Sequence, residues 1–195
     1  MDAQTQSTDT AEAALIGGLS ADLDRAFPTL VEAHQDRLFT IAVRVLGDRS
    51  DAEEAAQDAF VRAYRAIAGY PAERIRELRL RPWLATIVLN VCRNRLRVRR
   101  VATTELAFEP AAEPATDSLE SRHGRDAWAG LLADLPAPQR IAVVLRHVDG
   151  LSYAEISEAL GRPEGTVKAQ VHRGLATLRT AFLAAERRER EEMTA

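Results

Sequence analysis

Apolar residues in this chain recur at three- and four-residue steps, and no stretch alternates β-branched residues between hairpin turns. That periodicity confines the chain to helices. Ala52, Ala55, Ala56, Ala59, Phe60, Ala63, Tyr64 and Ile67 form one stripe, and Ser50 with Glu53 ahead of it has capping-box spacing. Leu38, Ile41, Ala42, Val45 and Leu46 mark a helix that stops at Gly47, and Leu23 to Ala33 marks an earlier one despite Pro28. A long helix follows Pro82. Its apolar stripe is Trp83, Leu84, Ile87, Val88, Val91, Cys92 and Leu96, while Thr86, Asn90, Arg93, Arg97 and Arg100 follow one another on a polar, basic face.

Residues 101–121 break the pattern, with five acids, two prolines and no basic residue. They read as a flexible linker. Beyond it, Trp128, Leu131, Leu132 and Leu135 form a stripe ending at Pro136, and Ile141, Val144, Leu145 and Val148 form another ending at Gly150. Ser152 and Glu155 then cap a short helix carrying Tyr153, Ile156, Ala159 and Leu160, which Gly161 and Pro163 terminate. A last helix starts at Thr166 with Val167, Val171, Leu175 and Leu178 on its apolar side. The expected fold is therefore all-α, as two small helical domains on a tether. The expected organisation is a flexible segment over 1–21, a helical domain over 22–100, the linker over 101–121, a second domain over 122–187 and a charge-paired tail over 188–195.

With 46% hydrophobic residues in 195, the chain has enough apolar surface for compact cores, which excludes disorder throughout. No window reaches the roughly 18 to 20 apolar residues of a bilayer span, and the first ten residues are acidic and polar, unlike a signal peptide. A cytoplasmic protein without membrane insertion is expected. The single Cys92 and the dispersed His34, His123, His147 and His172 give no disulfide and no metal site, and Cys92 on the apolar stripe reads as an inert core thiol. No phosphate loop, paired carboxylates or nucleophile constellation appears, so neither catalysis nor a cofactor is expected.

The net charge of −3 conceals a strong segregation. Residues 1–61 sum to −8, residues 62–100 to +9 and the remainder to −4. A block of that sign in an acidic protein is what a polyanion-binding surface requires, although a solvated helix face produces the same pattern. Two short helices joined at Gly161, the second presenting Lys168, Gln170, His172 and Arg173 outward, have the form of a DNA-reading helix-turn-helix. An ordinary bundle can also contain such a turn.

Two blocks carry a family resemblance. LPAPQRIAVVLRHVDGLSYAEISEALGRPEGTVKAQVHRGLATLR resembles region 4 of the bacterial extracytoplasmic-function (ECF) sigma factors, of the sigma-70 family. DRLFTIAVRVLGDRSDAEEAAQDAFVRAYRAI with RPWLATIVLNVCRNRLR resembles their region 2, and together the blocks cover about three quarters of the chain. The resemblance implies a transcription initiation factor that binds core RNA polymerase, through its largest-subunit clamp coiled coil and its flap, and recognises promoter DNA. An anti-sigma partner is a further implication.

Carried over by motif, the resemblance places Asp51, Glu54, Gln57, Asp58 and Phe60 against the polymerase, with a core position the alternative for Phe60. It places Asn90, Arg93, Arg97, Arg100 and Trp83 at the −10 element, where Trp83 reads either as a duplex wedge or as core. At the −35 element it places Thr166, Lys168, Ala169, Gln170, His172 and Arg173. The chain departs from the family in YPAERIRELRLRPWL, a longer and more arginine-rich loop than usual, and in Ala169 and Gln170, where Ser and Arg are common. Those departures imply altered promoter preference. A stand-alone helix-turn-helix regulator and a protein-binding helical adaptor are the competing functions, separable by whether promoter binding requires polymerase.

Overall fold

The computed structural model describes residues 3–105, 128 and 130–192. Helices α1 (Ala3–Ala21), α2 (Leu23–Leu46), α3 (Arg49–Ala68), α4 (Ala72–Arg76) and α5 (Leu80–Glu105) build an N-terminal unit. A helical turn at 130–133, α6 (Ala137–Val143), a π-helical turn over Val144–Val148, α7 (Tyr153–Leu160) and α8 (Glu164–Glu192) build the C-terminal one. No strand occurs among the described residues.

The N-terminal unit is held by α2, α3 and α5. Leu38, Ile41 and Val45 of α2 meet the alanine stripe Ala52, Ala55, Ala59 and Ala63 of α3, and Leu84, Val88, Leu89 and Cys92 of α5 close the third side. The alanines have a purpose. Small side chains let the helix backbones approach, so that the long leucines fill the remaining space at interior density. Truncating a fully buried residue such as Leu38 to alanine would cost about 2–5 kcal/mol.

The C-terminal unit is built around Leu145, Leu151, Ile156, Val167 and Val171. Gly161 takes the left-handed conformation, at φ 60°, that lets the chain turn sharply between α7 and α8. The Ser152–Glu155 capping box is present in full: Ser152 Oγ accepts from the Glu155 amide and Glu155 accepts from the Ser152 amide. Gly174 sets the crossing of α8 on α6. A Cβ there would lie 2.7 Å from Val143 Cγ2, closer than carbon atoms can sit, so only glycine permits this approach.

Several expectations are corrected. Residues 1–21, expected to be flexible, include α1, because Leu15, Ile16 and Leu19 share a face that packs on the core, with Leu19 fully buried. Helix α2 runs unbroken through Pro28, which sits near its start and points to solvent, where one lost amide bond is tolerated. The cap of α3 is Asp48 rather than Ser50: Asp48 has extended backbone and accepts from the Asp51 amide at 2.7 Å, while Glu53 pairs with Arg49. Helix α5 begins at Leu80 and continues to Glu105, into the expected linker, and α8 continues past 187 to Glu192. The rest of the linker, 106–121, and residues 193–195 lie outside the described residues.

The single helix expected before Gly150 also differs, since it widens into the π turn. There the Asp149 amide donates to Val144 O at 3.0 Å, five residues back. Leu175, expected on the apolar side of α8, is substantially exposed because Gly174 rather than Leu175 faces α6.

Candidate nucleic-acid and polymerase interfaces

Three surfaces carry the predicted functional residues. On α3, Asp51, Glu54, Gln57 and Asp58 share an outward face, and the three acids converge on Arg95 of α5. Arg95 Nη1 lies 3.5 Å from Asp51 and 3.1 Å from Glu54, and Nη2 lies 3.4 Å from Asp58. One guanidinium thus aligns three carboxylates yet neutralises only one charge, so the face stays acidic and ordered. Phe60, predicted beside them, is buried with only 9% of its surface accessible. It belongs to the core because helical spacing rotates it away from Gln57 and Asp58.

On α5, Asn90 and Arg97 are exposed, Arg93 is half-buried, and Arg93 Nη1 donates to Asn90 Oδ1 at 3.3 Å. Burial pulls the Arg93 pKa down, and the nearby Arg162 guanidinium adds to the effect. Arg100 lies in α5, and its side chain is outside the described residues. Trp83 is half-buried against Tyr70, with ring centroids 6.4 Å apart. The tryptophan is therefore tied to the core rather than projecting as a free wedge. Cys92 is buried in the core, and desolvation pushes its thiol up to about 12, so it is protonated and unreactive.

On α8, Thr166, Lys168, His172 and Arg173 are exposed and Ala169 is half-buried. Lys168 pairs with Glu164 at 3.2 Å and sits 5.5 Å from the Tyr153 ring centre. Gln170 departs from the prediction. Its Oε1 is buried with no hydrogen-bond partner among the described residues, so the side chain turns inward instead of outward. The α7–turn–α8 geometry projects the first two turns of α8 as a helix-turn-helix reading element does.

Residues 30–101 match the family model for sigma-70 region 2 and residues 125–178 that for sigma-70 region 4. The chain is 33% identical over 170 residues to the ECF RNA polymerase sigma factor SigW of Bacillus subtilis, an alignment covering 79% of this chain and 87% of that protein. The chain belongs to the ECF sigma factors. This sigma factor is also 37% identical over 153 residues to the ECF RNA polymerase sigma factor SigE of Mycolicibacterium smegmatis. That match covers 77% of this chain and 59% of the relative. Among solved structures, CnrH in complex with the cytosolic domain of CnrY aligns with a TM-score of 0.64 at 28% identity, covering 90% of this chain and 98% of that one. RpoE in complex with the anti-sigma factor NepR, from Bartonella quintana, also aligns with a TM-score of 0.64, at 25% identity over 79% of this chain and 94% of that one.

The two family models fall on the two helical units, so the N-terminal unit is region 2 and the C-terminal unit region 4. As a sigma factor the protein serves RNA polymerase in transcription initiation, with these regions recognising the promoter. No helix among the described residues is long and apolar enough to cross a membrane.

Sequence reasoning missed one group altogether. Arg37 of α2 and Arg81 in the first turn of α5 meet Asp149 after the π turn, and Arg79 just before α5 meets Glu155 and Glu158 of α7. The arginine excess of the loop was legible, but its partners were not, because Arg37 and Asp149 are 112 residues apart.

Proposed function

We propose that the acidic face of α3, through Asp51, Glu54, Gln57 and Asp58, docks on a basic coiled coil of the polymerase clamp, while region 4 engages the flap. Charge complementarity supports this reading: three carboxylates held in register suit a basic helical partner, and Arg95 reduces the entropy lost on docking. Region 2 reads the −10 element with Asn90, Arg93, Arg97 and Arg100, with the amide for a base edge and the guanidiniums for phosphates. Trp83 supports that helix from beneath. Region 4 reads the −35 element with Thr166, Lys168, His172 and Arg173 in the major groove, and Ala169 permits close approach of the backbone.

Gln170 supports the reading helix from inside. The protein acts in the cytoplasm, where the polymerase is, and contributes specificity rather than catalysis. An anti-sigma partner is a further part of the reading, supported by the solved relative RpoE, whose structure is a complex with the anti-sigma factor NepR.

The observation that carries the reading is the order and position of two helical units, each with its own basic face, on the two matched regions. Transcription by core RNA polymerase on a genomic fragment library, with and without this protein, tests it. New start sites sharing a two-part upstream motif are expected. Promoter binding by the protein without polymerase, together with no new starts, would overturn it in favour of a stand-alone regulator.

A further inference from the structure

Residues 69–79, which carry the chain from α3 to α5, rest on α1, a helix that lies ahead of the residues matched to region 2. Helix α1 packs against both α2 and α4. Its seat on α2 is close: a Cβ at Gly18 would lie 3.2 Å from Ala26 Cβ, and the Asp22 amide donates to Gly18 O at 2.9 Å where the two helices join. Leu19 of α1 and Ile75 of α4 are both buried in the core. A helix as short as α4 cannot hold itself, so its place is set by the surface under Ile75.

The same helix also reaches the start of α5. Glu12 Oε1 accepts from the Leu80 amide at 3.2 Å. Leu80 is the first residue of α5, and Arg79 before it carries only side-chain donors, which serve Glu155 and Glu158. Arg79 cannot supply the acceptor that a helix start requires, and Glu12 supplies it from another helix. The first turn of α5 holds no acid of its own, so Glu12 also brings the carboxylate that suits the positive end of the helix. Between these two anchors the segment shows an aromatic side, with Arg74 3.8 Å from the Tyr70 ring centre and Tyr70 against Trp83 of α5.

We propose that α1 is the seat of the −10-reading surface and that Glu12 is its positioning residue, holding residues 69–79 and the first turn of α5 in the geometry that discriminates between −10 bases. This rests on the proposed assignment of α5 to the −10 element. Glu12 acts through Leu80. With that amide held, the loop moves as one body with the helix that bears Asn90 and Arg97; with it released, the first turn of α5 frays and the loop loses one of its two anchors on α1. Base selection depends on groups held in place before the strand arrives, and a loosened frame accepts wrong bases more readily.

The test uses the full chain and three variants. Glu12→Ala removes the acceptor and keeps α1, since alanine is the best helix former. Glu12→Asp shortens the reach by one methylene, and Glu12→Gln keeps an accepting oxygen. Hydrogen exchange at the Leu80 amide, followed by NMR, is expected to run about fivefold faster in Glu12→Ala and Glu12→Asp, with α3 unchanged and Glu12→Gln near the wild type. Transcription by core RNA polymerase on the genomic fragment library then reads the two halves of the promoter motif separately. In Glu12→Ala and Glu12→Asp, discrimination between preferred and other −10 bases is expected to fall about fivefold, with the −35 half unchanged and Glu12→Gln restoring the preference. A role in stability alone would weaken all starts in proportion and leave both halves of the motif as they were.

Equal exchange at Leu80 in wild type and variants alike would overturn the seat. Faster exchange with an unchanged −10 preference would overturn the positioning role. If the wild type itself yields no starts with a two-part motif, the −10 reading fails and takes the positioning role with it, while faster exchange in Glu12→Ala still upholds the seat.

Discussion

The two helices proposed to read DNA differ at one position in how far their basic faces are exposed. Thr166, Lys168, His172 and Arg173 of α8 stand in solvent, their cations paired locally or not at all with the other region. Arg93 of α5 is half-buried near Arg162 in the turn of region 4, Arg79 just before α5 pairs with carboxylates of α7, and Arg81 in its first turn donates to the Asp149 carbonyl. Sequence pattern makes the two faces look equivalent, since both are cations at helical spacing. What separates them is tertiary: one faces away from the interface and the other lines it. On the proposed −10 face only Arg93 is partly covered, while Asn90 and Arg97 stay exposed.

The comparison is broken most severely by Gly174→Val. Its Cβ would lie 2.7 Å from Val143, so the α6–α8 crossing must open. Overpacking of this kind costs about 1–3 kcal/mol or more, and urea denaturation should show the loss while binding of −35 duplex weakens accordingly. A sharper separation comes from Arg173→Ala and Arg93→Ala. Each should weaken binding to its own element by about 1–3 kcal/mol and leave the other element unaffected, measured on isolated −35 duplex and single-stranded −10 DNA.

Smaller still, Lys168→Ala should weaken binding to −35 duplex and reduce the slope of log affinity against log salt by about 1. The smallest effect is on pH. His34, half-buried beside Arg37 and Arg81, has its pKa pulled down to about 4, by burial first and then by those two guanidiniums, with Asp149 opposing them. The unfolded chain, with a histidine pKa near 6.5, therefore binds more protons than the folded one between those values. Stability is fully present above about pH 6.5 and declines as pH falls toward 4. Thermal unfolding of His34→Gln across that range should flatten the dependence.

What the sequence made legible was local. The Ser152–Glu155 box, the left-handed stop at Gly161 and the alanine stripe of α3 depend on neighbours three and four residues away, and each stands where the pattern put it. The cap of α3 was not legible: Ser50 with Glu53 has the spacing of a capping box, and only the extended backbone after Gly47 gives the role to Asp48 instead. Gly174 gave no signal because its role is the shape of Val143 across the interface. The inward turn of Gln170 is likewise decided by neighbouring helices rather than by spacing, whereas the stripe of α3 already offered Phe60 a core position. The arginine loop announced a charge and concealed its partner.

The π turn before Gly150 has a consequence for how region 4 is aimed. In an α-helix each residue advances the side-chain direction by about 100°, so one residue fewer between Val144 and Val148 would swing everything downstream by that angle. Asp149 would then point away from Arg37, and α7 would leave the loop at a different bearing. The widened turn acts as a phase setting inside region 4, between α6 and the pair formed by α7 and α8. Changing its residue count by one would disturb the seating of Gly174 on Val143 without altering a single residue at the proposed DNA face.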